Sequence, residues 1–134
     1  MVAIAAAQMA LQLKCPHRVI LGTDGPAGSG VQPLGMLRMI ALLSSLGNIP
    51  AELVVCFATG NTARLRQLDC GLIEPGRAAD FVFLDRAQHT AGRTLLESIQ
   101  LGDLPSVGMV MIDGIVRCGR SRNTPPAMEV PVVV

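Results

Sequence analysis

The hydrophobic positions of this chain fall into short runs whose spacing changes about halfway along. Residues 2–14 are mostly Ala, Leu, Met and Gln and predict a helix that is apolar nearly all round, so it needs covering on several sides. Cys15-Pro16 ends it. The next run, His17-Arg18-Val19-Ile20-Leu21-Gly22, is short, unbroken and rich in β-branched residues, which predicts a strand of a parallel sheet buried on both faces, closed by Thr23-Asp24-Gly25-Pro26. A glycine-rich loop over 25–30 leads to Pro33, well suited to the first turn of a helix that runs through Leu46 and stops at Gly47. Leu34, Leu37, Ile40, Leu43 and Leu46 form its apolar stripe, broadened by Met36, Met39 and Leu42. Pro50 opens a second helix over 51–58, and Thr59-Gly60-Asn61 breaks it before a third over 62–68, with Asn61 as its N-cap.

Strands take over after Cys70-Gly71. Glu74-Pro75-Gly76 reads as a type II turn with Pro and Gly at the central positions. Residues 79–84, containing Phe81-Val82-Phe83-Leu84, predict a strand, and 107–112 with 115–118 predict a hairpin about Asp113-Gly114. A short helix is expected over 94–100. The tail is polar and then irregular, ending in Pro131-Val132-Val133-Val134, a final strand or an unanchored end. No internal repeat is visible.

Composition narrows the function classes. The chain has 134 residues, half of them hydrophobic, enough for an ordinary core and against disorder. Eleven basic residues against 10 acidic ones leave no basic stripe for nucleic acid and no polybasic membrane anchor. With aromatic residues at 2 % and no Trp or Tyr, base-stacking platforms and aromatic interface anchors are missing too, and a small-molecule partner fits better. The apolar start is too short to span a bilayer and has no basic n-region. Cys15, Cys56, Cys70 and Cys118 are unevenly spaced, without a C-x-x-C pair and with only His17 and His89 to help them; they read as buried free thiols of a cytoplasmic protein rather than a metal site.

Chemistry concentrates in the loop after the first strand. Gly25-Pro26-Ala27-Gly28-Ser29-Gly30 has the glycine spacing of a phosphate-binding loop, but Val31 and Gln32 stand where that loop requires lysine and a hydroxyl. Asp24 is the other candidate. It lies where a buried parallel strand gives way to a loop, the end at which α/β sheets place ligands. A carboxylate there can ligate a divalent metal and shuttle a proton to a leaving nitrogen. Equally, an Asp before Gly caps turns by bonding backbone N–H groups.

Three motifs in order, Val19-Ile20-Leu21-Gly22-Thr23-Asp24, then Ala58-Thr59-Gly60-Asn61-Thr62-Ala63-Arg64, then Gly71-Leu72-Ile73-Glu74-Pro75-Gly76-Arg77-Ala78-Ala79-Asp80-Phe81-Val82-Phe83-Leu84-Asp85, resemble the C-terminal part of the amidohydrolase superfamily of metal-dependent hydrolases. The stretch 28–35 and the tail Ser121-Arg122-Asn123-Thr124-Pro125-Pro126 look most like a member that hydrolyses a cyclic enamide. The resemblance implies an α/β fold: the C-terminal portion of a (β/α)₈ TIM barrel, its last strand and flanking helices over 1–69, followed over 70–134 by part of a small β-sandwich. It also implies that Asp24 is both a metal ligand and the catalytic proton shuttle. Asp80, in the family's signature opening of the sandwich, is expected to be structural.

The same resemblance implies one or two divalent ions, zinc or iron, a cyclic amide substrate cleaved at a C–N bond, and a homo-oligomer for the complete enzyme. The family's His-x-His pair, its bridging carboxylate or lysine and its later histidines have no counterpart here, and neither His17 nor His89 matches a ligand position. The start at Met1 therefore reads as a truncation or partial reading frame, and this piece alone is expected to be inactive. Two rivals stand beside this reading: a non-catalytic domain that binds a small ligand or a subunit, and a deaminase of the same superfamily. Ser29 is the one hydrogen-bonding side chain in the loop and a candidate for the substrate pocket.

Overall fold

The structure, a computed structural model, describes residues 2–25 and 32–132. Helix α1 (Val2–Gln12) is followed by a 3₁₀ turn (Pro16–Arg18), then α2 (Gly35–Gly47), α3 (Ala51–Ala58) and α4 (Gly60–Arg66). The second half contains β1 (Phe81–Asp85), α5 (Leu95–Gln100), β2 (Ser106–Ile112) and β3 (Ile115–Cys118).

One apolar core joins the helices. Ile4 and Ala7 of α1 meet Ile40 and Leu43 of α2, Ala51, Val54 and Phe57 of α3, and Ile99 of α5. The three-residue spacing of these side chains within each helix places them on one stripe that can be buried. Helix α2 starts two residues after Pro33, because Leu34 adopts a left-handed backbone (φ 58°) that a continuing helix excludes. Its buried face is Ile40, Leu43, Ser44 and Gly47, and Leu46, expected in the stripe, is exposed. Asn48, also left-handed, closes the helix by donating its N–H to the Ser44 carbonyl.

Helix α4 corrects another expectation. It begins at Gly60, so Asn61 lies inside the first turn rather than capping it, and the preceding Thr59 makes no side-chain cap. The Thr59 hydroxyl donates backward to the Val55 carbonyl of α3 instead, at 2.9 Å.

The strands form one antiparallel sheet in the order β1-β2-β3. Asp113 and Gly114 both take positive φ, 52° and 73°, as a two-residue hairpin turn requires. Gly76 has φ 87° and the Arg77 N–H reaches the Glu74 carbonyl at 3.3 Å, the geometry of the expected type II turn. Thr94 caps α5 by accepting from the Glu97 N–H at 3.1 Å, and Ile99 carries α5 into the helical core.

The tail is pinned as far as residue 129, whereas residues 133–134 of the expected final strand or unanchored end lie outside the described residues. Thr124, buried, accepts from the Val107 N–H at 3.0 Å, Ala127 bridges to Ala87, and the Glu129 N–H donates to the Asp85 carboxylate at 2.7 Å. The cysteines are free, but none is fully buried: Cys56 is exposed and Cys15, Cys70 and Cys118 are half-buried, and none belongs to the buried helical core. No helix among the described residues is long and apolar enough to cross a membrane.

Candidate active site

The segment leading to Asp24 differs from a strand in a complete sheet. Residues 16–18 form the 3₁₀ turn, and 19–25 run on without a ladder partner among the described residues. A parallel strand takes its hydrogen bonds from neighbouring strands, and no parallel pair is present among the described residues. Other groups hold it. Asn61 donates both amide hydrogens, to the carbonyls of Pro16 at 2.9 Å and Val19 at 2.8 Å. The Leu21 N–H donates to the Phe57 carbonyl at 3.2 Å, and the Thr62 hydroxyl shares that acceptor at 2.9 Å.

Side chains along this segment alternate. Val19 and Leu21 pack against the helical core, and the Thr23 methyl lies 3.1 Å from where a Cβ on Gly35 would stand, so Thr23 sits on the start of α2. Ile20 and Gly22 are turned the other way and are more open to solvent. This period of two is that of extended backbone, and one face, not both, is covered here. Asp24 takes the next position in the alternation after Ile20 and Gly22. It is exposed and has a left-handed backbone, φ 44°, which Asp tolerates better than most residues and which turns the chain into the loop.

Residues 26–31 lie outside the described residues, and with them most of the glycine-rich loop and the Ser29 expectation. The Asp80 carboxylate accepts from the Asp113 N–H at 2.9 Å and so is tied to the hairpin turn. His17 and His89 are both exposed.

A bound zinc takes about four donors and calcium or magnesium six or more. Among the described residues no three His, Cys, Asp or Glu side chains gather closely enough to hold an ion. Asp24 thus fits a divalent metal as a single oxygen donor, and the described residues alone do not make a metal centre. One cavity of about 470 Å³, in the sheet half, is bounded by β1, Gly108 and residues 129–131. Asn61 is the residue the sequence reading mistook. A polar side chain just after Gly60 was a signal for it, but its partners lie 45 and 42 positions away.

Comparison with known proteins identifies the family of the chain. The model of the amidohydrolase family matches residues 3–116. The chain is similar to enamidase of Eubacterium barkeri, 41 % identical over 110 residues, covering 82 % of this chain and 28 % of that protein. Its structure is also similar to a crystal structure of enamidase, described as a new member of the amidohydrolase superfamily, with a TM-score of 0.91 and 37 % identity over 96 % of this chain and 34 % of that one. The chain spans about a third of the length of these relatives. Its fold is accordingly the C-terminal portion of a (β/α)₈ barrel with part of a small β-sandwich.

Proposed function

Because the chain belongs to the amidohydrolase family, we propose that it is the C-terminal part of a metal-dependent hydrolase that opens a C–N bond of a cyclic amide, with Asp24 at the reacting centre. The observation that carries this is the alternation along 19–24. Val19, Leu21 and Thr23 face the helices, so the other side of the segment, where Asp24 follows Ile20 and Gly22, corresponds to the interior of a barrel. The turn at Asp24 then marks the end of the strand at which barrel enzymes place their chemistry.

In this reading Asp24 supplies one oxygen to a divalent ion, zinc or iron, and the remaining donors come from other parts of the complete protein. The ion, when bound, acidifies water and polarises the amide carbonyl. The carboxylate of Asp24 takes a proton from the attacking water through one oxygen. It then gives that proton to the ring nitrogen as the C–N bond breaks, so the ring opens to a carboxylic acid and a protonated nitrogen leaving group. Ionised, the Asp24 carboxylate accepts the proton of the first transfer, and once protonated it carries the O–H that donates in the second.

Apolar side chains left in water support membership of a larger body. Val2, Met9 and Leu13 on or beside α1 are 85 %, 59 % and 68 % exposed, and Val82, Ile112 and Ile115 of the sheet are also exposed. Such surface is what the rest of a barrel and sandwich would cover. By this account the complete protein is a cytoplasmic homo-oligomer that acts on a small substrate.

Assay of the complete, metal-loaded protein on a six-membered cyclic enamide tests the proposal. Loss of the ring amide with formation of a carboxylate is the expected result; the enamine nitrogen freed by ring opening hydrolyses further to an aldehyde and ammonia, so cleavage of the ring, and not ammonia, is the readout. Release of ammonia from an amino-substituted ring, with the ring amide left intact, would identify a deaminase instead.

A further inference from the structure

The chain that carries Asp24 has no sheet to hold it among the described residues, yet it is fixed at several points. Of these, Asn61 stands apart. It is 8 % exposed, and its amide nitrogen meets two carbonyls, those of Pro16 and Val19, on either side of the turn from which the segment departs. The orientation is forced, since an oxygen in that place would face two acceptors and no donor. The next tie, Leu21 to Phe57, lies two residues further on, and Thr23 against Gly35 two beyond that.

From this arrangement we infer that Asn61 is a positioning residue for Asp24, setting the starting point and direction of the segment that delivers the carboxylate. The inference rests on the reading of Asp24 as the reacting carboxylate. The backbone break at Thr59 (φ −118°, ψ −93°) is what aims Asn61 at the segment: a continuous α3–α4 helix would carry it elsewhere. Thr62, one residue on, donates to the Phe57 carbonyl that also accepts from the Leu21 N–H. Asn61 does not touch the reacting atoms in this account. Its effect is transmitted through five residues of extended chain, and a shift of about 1 Å at a catalytic group is enough to lower a rate about a hundredfold.

The test uses the complete, metal-loaded protein and a six-membered cyclic enamide. Asn61→Leu keeps the volume and removes both donors; Asn61→Ser is too short to reach both carbonyls and serves if the first variant does not fold. The expected result is a kcat lowered about 10- to 100-fold with KM within about twofold, together with faster hydrogen exchange at the Leu21 amide. In an Asp24→Ala background the same change should speed Leu21 exchange without lowering the residual rate further. A kcat within about twofold of the parent despite faster Leu21 exchange would overturn the inference, as would a loss of rate equal to the loss of folded protein. If Asp24→Ala alone turns over at the parent rate, the reading of Asp24 fails instead, and the Leu21 exchange still reports whether Asn61 holds the segment.

Discussion

The carboxylate of Asp80 accepts a hydrogen bond from the backbone N–H of Asp113 at 2.9 Å, joining the start of β1 to the turn of the β2–β3 hairpin across 33 positions of sequence. The neighbouring bond, from the Gly114 N–H to the Ala79 carbonyl at 3.0 Å, makes the tie a pair. Asp80 therefore works for the sheet. Asp80→Ala should lower stability by about 1–2 kcal/mol, the usual loss for a charge-assisted bond, and leave kcat per folded molecule unchanged. Thermal unfolding and a rate normalised to folded protein check both parts.

Ile99 links the two halves of the chain. It lies on α5, between two strands, yet it is 1 % exposed within the core built by α1, α2 and α3. Ile99→Ala should cost about 2–4 kcal/mol, because the cavity opens in a close-packed cluster rather than at a collapsible edge. Leu96, one turn away in the sequence but 42 % exposed, should tolerate the same change at under about 1 kcal/mol. Denaturant unfolding of the two variants makes the comparison.

Two glycines with similar backbones separate strain from crowding. Gly71 and Gly76 have φ of 78° and 87°, so alanine is strained at both. Only at Gly71 would the new Cβ collide, 2.9 Å from the Ala63 Cβ and 3.2 Å from the Thr59 carbonyl oxygen; at Gly76 nothing lies within 4 Å. Gly76→Ala should cost about 1 kcal/mol and Gly71→Ala clearly more, with α4 displaced. Melting temperatures rank them.

How much of this was legible in the sequence follows the range of the forces involved. The helix over 51–58 and the turns at Pro75-Gly76 and Asp113-Gly114 were readable because Pro and Gly act on their own backbone. The segment over 17–22 is expected from its pattern as a strand buried on both faces, but it has no ladder partner among the described residues and only one of its faces is covered: pairing and burial depend on neighbours that local pattern does not contain. Asn61 was read as a cap for the same reason, its acceptors being far away in sequence. Asp24 was found through its motif and its place before Gly25. The side of the segment on which it lies came only from seeing Val19, Leu21 and Thr23 packed on the helices.

The most direct test of Asp24 replaces it with asparagine in the complete protein, which keeps the size and the turn-forming ability of the side chain while removing its charge and its capacity to carry a proton. Turnover of a cyclic enamide is then measured beside metal content and melting temperature. The account predicts a rate lowered by a factor of about a thousand or more, with reduced metal and a melting temperature near that of the parent. Full turnover with full metal occupancy in the asparagine variant would contradict it.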